Sequence, residues 1–254
     1  MLKTRVIPTV LYKPPTLVKG ISYNSWRRVG YPMQAIKVYN LRDVDELIIL
    51  DIAATQENRM PDFSLINEIA DECFMPLTVG GGIKNIEDIK KLLSVGADKI
   101  SMSTSAIINP SLINEASHIF GSQCIVISID VKLNSLGKYE VYTHSGKNPT
   151  GINPIVFAKE VEKRGAGEIL ISSIDLDGTM KGYDIELIKI ISKSVSIPVI
   201  ASGGAGNYED MLKALKIGKA SAVAAASIFH FTEQTPLEAK IYLKKNGINT
   251  RVKL

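Results

Sequence analysis

Two glycine pairs are the strongest chemical signal in this 254-residue chain. Gly81-Gly82 and Gly203-Gly204 stand 122 residues apart, each one small residue after a short apolar run, Leu77-Thr-Val and Val199-Ile-Ala. The same displacement carries Asp88 to Asp210, Gly96 to Gly218, Ser105 to Ser227 and, upstream, Glu46 to Glu168. A glycine pair leaving a strand lets backbone N–H groups approach an anion with no side chain in the way. Each pair is followed half a unit later by a small polar step, Thr104 in one copy and Ala226-Ser227 in the other. Two such cradles predict a ligand with a phosphate at each end.

Carboxylates cluster near the same strand ends. Asp51 ends Leu47-Ile-Ile-Leu, Asp130 ends Cys124-Ile-Val-Ile-Ser-Ile, and Asp175 and Asp177 follow Glu168-Ile-Leu-Ile-Ser-Ser-Ile. Beside phosphate cradles, gathered carboxylates point to general acid–base work or to contacts with substrate hydroxyls. Asp175 taken alone reads as a helix cap. At the opposite strand ends stand Arg5, Glu46, Lys99 and Glu168. Four charges of alternating sign there can close one end of a barrel pore as a gate. The histidines, His118, His144 and His230, form no metal triad and no nucleophile–base arrangement. No metal and no cofactor are expected.

The elements that must position these residues are short, β-branched, apolar runs alternating with helical patterns, the form of parallel strands buried on both faces. Eight strands are expected near 5–11, 46–51, 76–80, 98–103, 124–130, 168–173, 198–202 and 221–226. Helices are expected between them, among them Asn85 to Val95, Asn153 to Arg164 and Tyr208 to Ile217. The 131–151 stretch alternates like a small hairpin inserted after the fifth strand. The duplication and a length of roughly 250 residues predict an α/β fold, one (β/α)8 TIM barrel over 1–254 built from two half-barrels. With 45% hydrophobic residues and a mean hydropathy of +0.11, the chain supplies a core but no run long enough to span a bilayer. Its net charge of +4 is spread out, which argues against nucleic-acid binding and leaves a mild bias toward anionic small molecules. Cys73 and Cys124 have no metal-ligand spacing and read as reduced core residues of a cytoplasmic protein. Met1-Leu-Lys-Thr-Arg passes straight into the first strand, without the pattern of a signal peptide.

These residues resemble the cyclase subunit of imidazole glycerol phosphate synthase, the HisF family of histidine biosynthesis. The likeness runs through Arg5-Val-Ile-Pro, Val18-Lys-Gly, Leu50-Asp-Ile, Leu77-Thr-Val-Gly-Gly-Gly-Ile, Tyr142-Thr-His, Gly165-Ala-Gly-Glu-Ile-Leu, Asp177-Gly-Thr, Ile200-Ala-Ser-Gly-Gly-Ala-Gly and Ser227-Ile-Phe-His-Phe. The resemblance implies a barrel that binds a bisphosphorylated aminoimidazole-type substrate across its top. It also implies a heterodimer in which a glutaminase of HisH type docks below and sends ammonia through the barrel. Carried over, Gly82 and Thr104 match one phosphate site, and Gly203, Gly204, Ala226 and Ser227 the other. Lys19 matches a mobile first-loop lysine, Asp130 a catalytic carboxylate, and Asp51 and Asp177 substrate contacts. Arg5, Glu46, Lys99 and Glu168 match the ammonia gate, and Asp98 the contact to the glutaminase.

The departures from that family are informative. Its first strand ends in a catalytic aspartate, where this chain has Leu11 in Val10-Leu-Tyr-Lys-Pro-Pro. Leucine neither donates nor accepts a proton, and losing one general acid or base costs about 10²–10⁴ in rate. Pro14 and Pro15 stiffen a loop expected to fold over the substrate, and Ser103 replaces an asparagine beside the phosphate. The chain resembles a divergent branch associated with surface-polysaccharide (lipopolysaccharide) biosynthesis, thought to supply ammonia to an enzyme that amidinates an N-acetyl sugar. The expected function is therefore a HisF-type amidotransferase subunit kept as an ammonia conduit. The alternative is an active lyase in which Asp51 replaces the missing partner of Asp130. It would convert phosphoribulosyl-formimino-aminoimidazole carboxamide ribotide (PRFAR) and ammonia to imidazole glycerol phosphate and AICAR. An unrelated phosphate-binding barrel isomerase is the third reading.

Overall fold

A computed structural model describes residues 3–252. Its strands are β1 (Arg5–Lys13), β2 (Thr16–Ile21), β3 (Asn24–Gly30), β4 (Leu47–Asp51), β5 (Leu77–Gly80), β6 (Lys99–Met102), β7 (Ile125–Leu133), β8 (Tyr139–Thr143), β9 (Asn148–Pro149), β10 (Glu168–Ser173), β11 (Val199–Ser202) and β12 (Ala222–Ala225). Eight of them are parallel neighbours in the order β1-β4-β5-β6-β7-β10-β11-β12, and β12 returns to pair with β1. The sheet therefore closes into a (β/α)8 barrel, as the alternating pattern predicts. Residues alternate across it: Val6 and Val10 face the helices, whereas Ile7 joins Ile48, Val126, Leu170, Ile200, Ala222 and Ala224 in a separate apolar layer inside the barrel. No helix among the described residues is long and apolar enough to cross a membrane.

The duplication is visible in backbone detail. The helices Ile86–Ser94 and Tyr208–Lys216 start from Asn85 and Asn207, whose side chains accept from Asp88 N and Asp210 N. Asp88 in turn accepts from Lys84 N at 2.8 Å, and Asp210 from Gly206 N at 2.9 Å. The repeated Asn and Asp thus cap the helix and pin the glycine loop to it. At the end of these helices the displacement becomes 123: Ala97 N bonds Leu92 O as Ala220 N bonds Ala214 O, and Lys219 (φ 61), not Gly218, takes the left-handed position of Gly96 (φ 107). The helices that open at Thr104 and Ser227 are the equivalent pair. The expected match of Ser105 with Ser227 is therefore off by one residue.

The first strand differs from expectation. It runs on to Lys13, turns at Pro14-Pro15, and returns as β2 and β3. The prolines, which lack N–H groups and cannot continue a ladder, make the turn of a hairpin and not a stiffened loop. Lys19 accordingly lies on a strand and is only 2% exposed. The hairpin expected in 131–151 is present as the end of β7 with β8 and β9. Cys73 and Cys124 are free and half-buried, packed against the edge of the core.

Candidate functional site

The carboxyl ends of the strands surround a cavity of about 450 Å³. At one end its wall contains Gly81, Gly82, Lys84, Ser103 and Thr104; at the other Gly178, Ser202, Gly203, Gly204, Ala226 and Ser227. Leu11, Leu50, Asp51, Lys19, Asp130 and Asp177 lie between. The structure thus brings the ten residues expected at the upper face around one space. The N–H groups of Gly82 and Gly204 have no hydrogen-bond partner among the described residues. Those of Thr104 and Ser227 open short helices, whose first N–H groups lack intrahelical acceptors.

Glycine is required here for the protein's own packing as well. Gly82 (φ +74) would place a Cβ 2.8 Å from the Arg59 carbonyl oxygen, and Gly204 (φ +112) 2.1 Å from that of Gly182. A bulkier residue at either position displaces a neighbouring loop, so such a variant does not report on anion binding alone.

Asp130 is the centre of the polar half. Its Oδ1 accepts from the Tyr23 hydroxyl at 2.7 Å and its Oδ2 from Ser103 Oγ at 3.2 Å. Burial, with a smaller contribution from the Asp177 charge, pushes its pKa up, and the two hydroxyl donors oppose that. Tyr23 comes from the turn between β2 and β3, with Ser22 and Tyr23 both at positive φ (49 and 59). Burial and the facing Asp130 raise its phenol well above the ordinary value, so it keeps its proton and donates it. The sequence reading missed Tyr23, since nothing in a Ser22-Tyr-Asn turn shows that it dips into a barrel.

Lys19 is spent on Asp177, Nζ to Oδ2 at 2.5 Å, and Ser22 N donates to the Asp177 carbonyl at 2.7 Å. Asp51 is equally committed: it accepts from Ala53 N at 3.0 Å and Ala54 N at 2.9 Å, and pairs with Arg59 at 3.1 Å. Asp175 lies outside the cavity wall, exposed, 3.7 Å from Lys132. His144 lines the cavity, and His230 is pulled down to about 4 by burial and then by the Lys19 charge.

Leu11 is the informative vacancy in this chemistry. It pairs with Leu50 across β1–β4, while Asp130 pairs with Ser172 across β7–β10. Leu50 and Ser172 are mates under the duplication, since Leu47 N bonds Pro76 O as Ile169 N bonds Pro198 O. Leu11 and Asp130 therefore occupy equivalent positions in the two halves. One quarter of the cavity is apolar (Leu11, Leu50) and the opposite quarter is polar (Asp130, Ser172).

Beneath the cavity floor, where Thr9, Ser101 and Ser128 contribute hydroxyls, lies the apolar layer, and below that a closed ionic ring. Arg5 bonds Glu46 at 2.5 Å and Glu168 at 2.8 Å; Lys99 bonds the same two carboxylates at 3.0 and 3.1 Å. Thr78 Oγ1 also donates to Glu46 at 2.8 Å. The four charges expected at the strand starts thus form one ring. Asp98 stands beside it, exposed, with one carboxylate oxygen accepting from Leu77 N at 2.8 Å. A second cavity opens below, lined by Arg5, Glu46, Pro76 and Lys99 among others.

A closed parallel barrel with twinned glycine loops over one face and a neutral ionic ring across the other defines a duplicated (β/α)8 barrel with a cavity at its upper face. The model of the histidine biosynthesis protein family matches residues 5–235, and the chain belongs to that family.

Proposed function

We propose that this chain is the HisF-type subunit of a glutamine amidotransferase complex, a cytoplasmic protein retained as an ammonia conduit. A glutaminase of HisH type docks on the face that carries Asp98 and releases ammonia beneath the ring of Arg5, Glu46, Lys99 and Glu168. The nitrogen crosses the apolar layer to the upper cavity and serves the amidination of an N-acetyl sugar in surface-polysaccharide biosynthesis. The observation that carries this reading is the ring itself. Four charges paired into a neutral loop seal the barrel axis to ions, while a small neutral molecule needs only a slight parting of side chains.

Leu11 weighs against an active cyclase. Asp130 faces an apolar wall where a proton-transfer partner is needed, and Asp51, the nearest replacement in sequence, already accepts four hydrogen bonds. The test mixes the barrel with a HisH-type glutaminase from the same organism and the sugar-amidating enzyme, then compares glutamate released with nitrogen incorporated. Close to one nitrogen per glutamate is expected, with uncoupling in Lys99→Met. No association with the glutaminase, or an unchanged ratio in Lys99→Met, removes the conduit. Turnover of the cyclase substrate with ammonium salt would restore the alternative.

A further inference from the structure

Two hairpins stand around the mouth of the upper cavity, one from each half of the duplication. Strand β1 runs past Leu11 into β2 and β3, and β7 runs past Asp130 into β8. Leu11 and Asp130 are mates, so Lys13 and Lys132, two residues beyond each, are mates as well, and both are exposed. The hairpins touch the same loop. Ser22 Oγ donates to the Asp175 carbonyl at 3.0 Å, and Leu133 N donates to the Asp175 carboxylate at 3.4 Å. On its other side the first hairpin lays Arg27 over the Phe231 ring, 3.7 Å from its centre.

This rim is apolar where solvent meets it. Ile21 is 51% exposed, Leu133 46%, Leu136 77% and Phe231 37%. Leu136 is held by an ordered turn: its N–H and that of Lys138 both donate to Asn134 Oδ1, at 3.0 and 3.1 Å, and Asn134 N donates to the Lys138 carbonyl at 2.9 Å. Such a turn keeps an apolar side chain in water, an unfavourable contact that burial against a partner removes. The charges around it have one sign. Residues 13–31 and 132–139 contain no Asp or Glu, and Lys13, Arg27, Arg28, Lys132 and Lys138 are all exposed. Among the described residues only Asp175 pairs with any of these five, 3.7 Å from Lys132. An apolar centre within a cationic border fits a protein surface that is acidic around an apolar patch.

The cavity below points to which protein that is. Its three carboxylates are all taken within the chain: Asp130 by Tyr23 and Ser103, Asp177 by Lys19, and Asp51 by Arg59. Nitrogen that reaches this space meets no carboxylate free to serve a reaction, and Leu11 adds none. It must leave through the mouth, and ammonia let into bulk water at neutral pH is protonated and diluted. We propose that the rim formed by the two hairpins is the docking surface for the enzyme that consumes the ammonia, and that docking joins the mouth of the barrel to that enzyme's active site. The inference rests on the conduit reading for the direction of flow; the surface itself is read from exposure and charge.

The test uses the chain with its glutaminase and the sugar-amidating enzyme of the same organism. Biolayer interferometry should show the amidating enzyme binding the complex, with affinity falling about tenfold or more in Leu136→Asp and in Arg28→Glu, and falling with added salt. Both side chains are exposed, and unchanged melting temperatures and glutamine hydrolysis will show that fold and glutaminase contact are intact. An ammonia scavenger in excess, glutamate dehydrogenase with 2-oxoglutarate and NADPH, should divert little nitrogen from the wild-type assembly and most of it from Leu136→Asp. Failure of the amidating enzyme to bind, or binding unchanged in both variants, would overturn the proposal. So would tighter binding to phosphatidylglycerol vesicles than to that enzyme, which would assign the rim to an anionic membrane. Should the scavenger take the wild-type nitrogen while Lys99→Met still uncouples hydrolysis from transfer in its absence, the conduit stands and the docking falls. Should the variants weaken binding while glutamine nitrogen never arrives, the conduit falls and the docking surface stands.

Discussion

Replacing Arg5 by methionine removes the one cation that grips both carboxylates of the lower ring with three hydrogen bonds. Glu46 is 2% exposed, so it cannot recover its lost partner from water. Removing one member of a buried pair costs about 3–5 kcal/mol. Arg5 is itself 24% exposed, and Lys99 keeps one contact to each carboxylate, so about 2–4 kcal/mol is expected here. Lys99→Met should cost less, about 1–2 kcal/mol, because Arg5 then still holds both partners.

Urea unfolding at pH 7 measures the cost of each variant. The double variant Arg5→Met with Glu168→Gln leaves one cation facing one anion and should recover about 1 kcal/mol or more. A cost below about 0.5 kcal/mol, or no recovery in the double variant, would mean that the ring is ordinary solvated charge.

Three further outcomes are expected. His230 falls from 6.5 to about 4 in the folded chain, a difference worth about 3 kcal/mol. That stability is lost as pH drops from 6.5 toward 4, because the unfolded chain takes up the proton first; His230→Gln should flatten this acid limb, and an unchanged profile in pH-dependent melting would refute it. Asp130→Asn should raise the melting temperature at neutral pH, since the Tyr23 hydroxyl keeps an acceptor in the amide oxygen, Ser103 Oγ can turn to accept from the amide NH2, and the buried charge disappears; a lower one would show that the carboxylate is stabilising. Leu11→Asp should lose about 3–5 kcal/mol at pH 8 and less at pH 5, because it buries a second carboxyl; thermal melts at the two pH values that coincide would show that water reaches position 11.

What the sequence revealed was whatever repeats or alternates. The eight barrel strands fall within a few residues of the apolar runs, because strands buried on both faces are apolar apart from small hydroxyl residues, with charges only where the barrel run begins or ends. The ring was legible for the same reason: Arg5, Glu46, Lys99 and Glu168 are charges at starts of otherwise apolar runs. The β2–β3 hairpin was not legible. Its residues, Asn24-Ser-Trp-Arg-Arg, face solvent on one side and lack the apolar pattern of a core strand. With the hairpin unread, Tyr23 could not be placed over Asp130, nor Lys19 beneath Asp177. The commitment of Asp51 to Arg59 was equally hidden, because an ion pair eight residues apart across a loop has no periodic signature.

Duplication fixed the frame and then freed the contents. The helix caps at Asn85 and Asn207 and the pinned loops at Lys84 and Gly206 keep both halves superimposable in backbone. At equivalent positions the side chains have parted: Leu11 against Asp130, Leu50 against Ser172, Lys84 against Gly206. Each exchange alters polarity or charge without touching a strand register, so it leaves the fold intact while changing what the cavity can hold or catalyse. In the lower ring Glu46 and Glu168 are mates that remain identical, but both cations that balance them come from the first half, since the mates of Arg5 and Lys99 are Cys124 and Ala222. The duplication therefore supplied the two carboxylates by symmetry, and the two cations that neutralise them arose by the same kind of divergence that separates Leu11 from Asp130 in the cavity above.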